Sequence, residues 1–379
     1  MNRFSRAAVF VLCAAAAVLC ACGSKDRGHL LIIGGGLDDG NTLVRGRFVE
    51  RAGGGRIGVV PTATGVENPG ESTREALAPH APGGVEVLPL TMNDHTNAMD
   101  EAVAARVRAC SALWFVGGDQ NRITSVFRPG AGGTPAYRAC LDVLRRGGVI
   151  AGTSAGAAMM SDPMITGGSS EDALRGGANL APGMGFLPGV ITDQHFLHRG
   201  RLGRLVAALG QTRTHIGLAV NEDSAADINL ATLTAEALGE RSVVIVDMRR
   251  SKRENGGWTN VRLHILSTGD TANLRTGAVT PARPVSRPFL CGDGTPASGP
   301  LPRPQAEFMD GDPWRGGLIA EMLGECLARP VIAANRGFLI RASCDGDSRY
   351  ALGENNKWRT LVNVRVDIAP SSPATDTVP

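Results

Sequence analysis

No Cys-x-x-Cys pair occurs anywhere in the 379 residues, and no His, Cys, Asp or Glu residues cluster at metal-ligand spacing. A structural zinc site and a dithiol redox centre are thereby excluded as organising chemistry, and neither metal nor cofactor is expected. A surplus of charge of either sign is also missing. The chain carries 39 basic and 36 acidic residues, and setting aside Arg3 and Arg6 at the N-terminus leaves 37 against 36. That balance leaves no electrostatic footprint for nucleic acid or for general adhesion to a membrane surface. Glycine is abundant, at 50 residues, yet the Gly-x-Gly-x-x-Gly spacing fails after the first apolar run because Asp39 stands where the third glycine belongs. The dinucleotide-binding fingerprint is therefore absent there.

The longest apolar run, Ala7 to Leu19, is too short and too alanine-rich for a convincing membrane span. With Arg3 and Arg6 before it and Leu19-Cys20-Ala21-Cys22 after it, residues 1–21 read as a secretory signal resembling the lipoprotein type, with lipidation at Cys22. An ordinary cleaved signal or an uncleaved anchor are the alternatives. The lipoprotein reading places the protein in the cell envelope, outer membrane or periplasm-facing, touching the membrane only through the lipid. Cys13 and Cys20 leave with the signal, so five cysteines remain beyond Cys22. One or two disulfides are expected, chiefly among Cys291, Cys326 and Cys344, whereas Cys110 and Cys140 lie in apolar settings typical of buried thiols.

From His29 onward, continuous apolar runs alternate with amphipathic stretches. Strands are predicted over 29–33, 56–61, 85–90, 112–116 and 149–151, and helices over 41–52, 72–80, 98–109 and 134–146. The pattern implies an α/β fold, a three-layer doubly wound and mostly parallel sheet covered on both faces. Functional loops of such sheets gather at the carboxyl ends of the strands. Three glycine-rich loops fall there: 34–36, 117–120 and Gly152-Thr153-Ser154-Ala155-Gly156. The last has the form of a nucleophile elbow, a strand turning sharply at a serine into a helix.

A serine nucleophile needs a base, and the base needs a carboxylate to hold its tautomer. His195 follows the apolar segment 190–192, and Glu222 follows the strand-like segment 216–220, with Asp193 and Asp223 as competing acids. The order Ser154, His195, Glu222 differs from that of α/β-hydrolases, which disfavours that fold. Arg199 and Arg201 stand next to His195, before the helix that contains Arg204, where guanidinium forks can meet substrate carboxylates.

The segments FVGGDQNRI (115–123), GTSAGA (152–157), DQHFLHRGRLGRL (193–205) and NEDSA (221–225), together with the first glycine loop, resemble the cyanophycinase group of the S51 serine peptidases across residues 28–284. GTSAGA alone would also suit the neighbouring aspartyl dipeptidases. The resemblance implies a class I glutamine-amidotransferase-like fold, with Ser154 as nucleophile, His195 as base and Glu222 as orienting acid. The backbone N–H groups of Gly118 and Ala155 would form an oxyanion hole. The substrate-binding set would be Gln120, Asp193, Gln194, Arg199, Arg201 and Arg204. It further implies a homodimer, no metal, and exo-acting hydrolysis of cyanophycin, a polyaspartate bearing arginine, to β-Asp-Arg dipeptides. Other aspartyl or β-linked peptides are the alternative substrates. A non-catalytic surface binding protein would require a missing member of the triad, and none is missing.

Residues 285–379 lie beyond the resemblance. A Pro- and Gly-rich stretch over 281–304 reads as a linker, 314–327 has helical periodicity, 331–343 and 360–368 are strand-like, and the last ten residues form a tail. Whether this part is an added domain or a decoration of the core is left open by the sequence.

Overall fold

In a computed structural model, the structure describes residues 28–130, 132–286, 331–335, 337–352 and 358–371. The expected signal segment with Cys22, residues 287–304 of the linker, the 314–327 helix, Cys291 and Cys326 lie outside the described residues. Two nine-stranded sheets and one two-stranded ribbon make up the β structure of the described residues.

In the first sheet His29–Ile33 is flanked by Val149–Thr153 on one side and Ser224–Asn229 on the other. Five strands run parallel: His29–Ile33, Val149–Thr153, Ala112–Phe115, Ile57–Val60 and Val85–Val87. Every residue of His29–Ile33 after His29, and of Ile57–Val60 and Ala112–Phe115, is buried. That is why these strands read as unbroken apolar runs. Ile33 pairs with Thr153, and Phe115 with Gly152, so the loops that follow all emerge at one level.

The helices form where their caps allow. Thr42–Ala52 starts at Asn41, whose side chain accepts the Val44 N–H, and ends at Gly53 in the left-handed region. Pro135–Arg145 starts at Thr134 with proline in its first turn. The helix expected from residue 98 divides into His95–Met99 and Glu101–Ala109, because Asp100 takes an extended conformation and caps the second piece.

The fold is α/β as expected, but the strands are shared between two sheets. Val190–Gln194 and Ile216–Val220 run parallel to each other in the second sheet. Beyond them come Val243–Asp247, Gly257–Leu266 and Trp358–Pro370, all antiparallel to their neighbours. Apolar runs report burial and not sheet membership, so the sequence could not divide them. The C-terminal strands are continuous with this sheet: Phe338–Ser343 and Trp358–Pro370 pair along their length, and Trp358–Pro370 lies against Gly257–Leu266.

Candidate active site

Ser154 sits where Val149–Thr153 ends and the short helix Ala155–Ala158 begins. Its backbone has φ 51° and ψ −107°, a region that a non-glycine residue occupies at a cost of roughly 1–3 kcal/mol. The surroundings hold it there. Its N–H donates to Ile33 O at 3.0 Å, and its carbonyl accepts from the N–H groups of Ala157 and Ala158. Gly152 and Gly156 let strand and helix pack in direct contact, since a Cβ on Gly152 would strike Gly156 O.

His195 and Glu222 arrive from the second sheet. Gln194 pairs with Val220, so the residues after both strands leave side by side. Three backbone bonds then tie them to the first glycine loop: His195 N–H to Gly34 O at 2.9 Å, Asp223 N–H to Gly35 O at 2.9 Å, and Gly34 N–H to Ser224 O at 3.0 Å. Residues 34–36 form a seat for the imidazole and its acid. A Cβ on Gly35 would overlap Cε1 and Nε2 of His195, and one on Gly36 would come within 3.2 Å of Glu222 Oε2.

A continuous hydrogen-bonded chain results. Ser154 Oγ lies 2.8 Å from His195 Nε2, and His195 Nδ1 lies 2.6 Å from Glu222 Oε1. With Nδ1–H donated to the carboxylate, Nε2 is left to accept the serine proton. Burial pushes His195 below the ordinary histidine value; the Glu222 hydrogen bond opposes this, and Arg199 and Arg201 add to it. Glu222 is held below the usual carboxylate range. Burial works to raise it, and the His195 hydrogen bond and the charges of His198 and Arg241 outweigh that.

The competing acids are occupied elsewhere. Asp223 Oδ1 accepts from the Asp38 N–H at 2.9 Å and Asn41 Nδ2 at 2.8 Å, which anchors the loop. Asp193 is 1% exposed and takes both Nε (2.8 Å) and Nη2 (2.5 Å) of Arg204, itself 4% exposed. These two residues, expected in the substrate contact, instead satisfy each other in the interior, because a buried charge persists there only when paired.

Gln120 is buried with its Nε2 given to the Ile165 and Thr166 carbonyls. Gln194 is also buried, and its Oε1 accepts from Arg201 Nη1 at 2.7 Å. Burial brings Arg201 down to about 10, and the neighbouring Arg204 and Arg199 charges act in the same direction, against Asp193. Arg199 is exposed, and among the described residues no ion pair of its side chain is found.

Gly117 brackets the serine, since a Cβ on it would lie 3.3 Å from Ser154 Cβ. Among the described residues neither the Gly118 nor the Ala155 N–H has a hydrogen-bond acceptor. Two donors beside a serine–histidine–carboxylate chain suit acyl transfer.

Residues 30–234 match Peptidase family S51. The chain belongs to that family. It is a serine peptidase, and its curated relatives agree along most of their length. A protein named cyanophycinase from Synechococcus elongatus is 37% identical over 275 residues, 68% of this chain and 82% of the relative. One of the same name from Trichormus variabilis is 34% identical over 268 residues, 67% of this chain and 88% of the relative. A third, from Geminocystis herdmanii, is 33% identical over 265 residues, 66% of this chain and 95% of the relative.

The motifs of this S51 peptidase named the serine, the histidine and the acid. They did not reveal His198 and Arg241, which stand behind Glu222. His198 lies inside the DQHFLHR segment without a spacing signal of its own, and Arg241 lies in a turn between strands of different sheets.

Proposed function

We propose that this S51 peptidase hydrolyses cyanophycin through an acyl-enzyme, releasing β-Asp-Arg dipeptides. The observation that carries the reading is the unbroken chain from Ser154 Oγ through His195 to Glu222, beside Arg199 and Arg201. Ser154 Oγ attacks the backbone carbonyl carbon while its proton passes to His195 Nε2. The tetrahedral oxyanion lies against the N–H groups of Gly118 and Ala155, each worth about 10²–10³ in turnover by analogy with oxyanion donors generally. His195 returns the proton to the leaving amine. Water, activated by the same imidazole, then releases the acyl group.

The substrate carries both carboxylates and guanidinium groups. Exposed Arg199 and the solvent-facing part of Arg201 suit the carboxylates. Asp193 and Arg204, being buried against each other, act in this reading by bracing the strand Val190–Gln194 that leads into His195. Gln120 and Gln194 shape the floor. The decisive experiment incubates the purified protein with insoluble cyanophycin and measures released dipeptide. Abundant β-Asp-Arg from the wild type and none from Ser154→Ala is expected. No dipeptide from the wild type would overturn the substrate, and full activity in Ser154→Ala would overturn the mechanism.

The protein is further proposed to be exported, lipidated at Cys22, held in the cell envelope and homodimeric. The basic, apolar and cysteine-containing order of the first 22 residues supports export and anchoring. Cys22→Ser should move the protein from the membrane fraction to the soluble one, and sedimentation would report the dimer.

A further inference from the structure

Ser154 lies between two glycine loops, because its strand, Val149–Thr153, runs between His29–Ile33 and Ala112–Phe115. Residues 34–36 seat His195 and Glu222, and Arg199 and Arg201 act on His195 from that side. The loop on the other side, 117–118, has an arginine of its own. Gly117 packs on Ser154. Gly118 is exposed and packs on the 63–64 peptide, where a Cβ on it would lie 2.1 Å from Ala63 O. Ala63 O accepts the Asp119 N–H at 2.9 Å, and Arg122 Nη1 lies 3.5 Å from the same oxygen. A Cβ on Gly65 would also lie 3.5 Å from that Nη1. Gly118, the expected oxyanion donor, and the Arg122 guanidinium therefore border one carbonyl.

Nothing in the fold accounts for a cation at this point. Arg122 is exposed and stands in the first turn of the helix Gln120–Phe127, capped by Asp119. A positive side chain there opposes the helix dipole, which favours acids in the first turn. The neighbouring Asp119 carboxylate is engaged by the Asn121 N–H at 2.8 Å and Asn121 Nδ2 at 3.0 Å. Among the described residues Arg122 has no ion pair, and its side-chain hydrogen bond is the 3.5 Å contact, at the outer limit for such a bond. The rest of its N–H fork faces solvent. We infer that Arg122 binds a free carboxylate of the substrate on the oxyanion side of Ser154, so that cations flank the nucleophile on both sides. The inference rests on the reading of the substrate as cyanophycin. In that polymer each arginyl branch ends in a free α-carboxylate, and so does the chain itself. A guanidinium fork can grip either in bidentate fashion. The same charge repels a guanidinium, and so sets which end of an Asp-Arg unit lies over Gly118.

The test compares wild type, Arg122→Gln and Arg122→Lys in the full chain. Arg122 is exposed, so both variants are expected to fold. The substrates are two-unit fragments of cyanophycin in three forms: all carboxylates free, the chain end amidated, or the arginyl carboxyls amidated. Released β-Asp-Arg, or its amide, gives kcat and KM. On the free fragment Arg122→Gln should raise KM and lower kcat/KM about ten-fold, the loss expected for one hydrogen bond to a charged group. Arg122→Lys, which keeps the charge without the fork, should recover part of that loss. Amidating the carboxylate that Arg122 holds should make wild type and Arg122→Gln equal on that fragment, and which fragment this is distinguishes the branch from the chain end. An equal deficit of Arg122→Gln on all three fragments would overturn the inference, because a brace of residues 63–65 would lower every rate alike. Wild-type kinetics in Arg122→Gln on the free fragment would overturn it too. A wild type that cleaves none of the fragments would overturn the substrate reading itself, and the inference with it.

Discussion

The two large sheets contribute to one site in different ways. The first supplies a strained nucleophile at the end of a parallel strand buried on both faces. The second is mostly antiparallel and supplies the base and the acid from its single parallel pair, Val190–Gln194 and Ile216–Val220. Parallel neighbours in register are what let two loops leave a sheet side by side. Each sheet also holds a buried carboxylate tied to arginines of a helix. Asp227 of the first takes Arg47 Nη1 at 2.8 Å, Arg51 Nη2 at 2.7 Å and His29 Nδ1 at 2.9 Å. Asp193 of the second takes Arg204 and lies two residues from His195. The first brace is remote from the serine, while the second sits beneath the base. Rigidity of the fold and placement of the base are therefore separate in one sheet and joined in the other.

Breaking the contact between the sheets should have the largest effect. Gly35→Ala pushes a methyl group into the His195 ring, and loss of the positioned base should lower kcat/KM by about 10³ or more. Steady-state kinetics with a thermal melt would separate this from unfolding. Next, Asp193→Asn leaves Arg204 buried with a neutral partner and should cost roughly 3–5 kcal/mol of stability, together with activity. Arg204→Met combined with it should recover part of that loss in a denaturant double-mutant cycle. A remote brace should cost stability alone. Burial works to raise Asp227, and its bonds to His29, Arg51 and Arg47 outweigh that and lower it from 3.8 to about 2. Its stabilisation, roughly 2 kcal/mol, is fully present above pH 3.8 and disappears as pH falls toward 2. In Asp227→Asn the wild-type excess in unfolding free energy should vanish across that window. The smallest effect concerns the base itself. Since burial lowers His195, the imidazole stays unprotonated below the ordinary value of 6.5, and the acid limb of kcat/KM should fall below 6.5. A limb above 6.5 would show that the Glu222 bond outweighs desolvation.

The parallel half of the fold was legible because burial on both faces leaves a continuous apolar signature, as in Ala112–Phe115 and Ile57–Val60. The strands Ser224–Asn229 and Thr234–Gly239 escaped notice, since a short antiparallel hairpin with Asp227, Asn229 and Glu236 in it does not read as apolar. Ser154, His195 and Glu222 were each visible as a reactive residue type just past an apolar run. Arg204 and Asp193 were visible too, but their burial was not. Spacing in a chain cannot tell a guanidinium that faces solvent from one that has found a carboxylate inside. Cys110 and Cys140 followed their composition: both are buried, and burial pushes the Cys110 thiol up to about 12.

By itself the sequence determined which residues can carry the chemistry and where glycine-rich loops follow the strands, because residue type and local turn chemistry are properties of short segments. Tertiary structure alone decided that the serine and the histidine–acid pair come from different sheets. It also decided that Glu222 rather than Asp193 or Asp223 faces His195, and that His198 and Arg241 stand behind it. Those outcomes depend on strand register and on competition among partners for each buried charge, and both are settled between segments far apart in the chain.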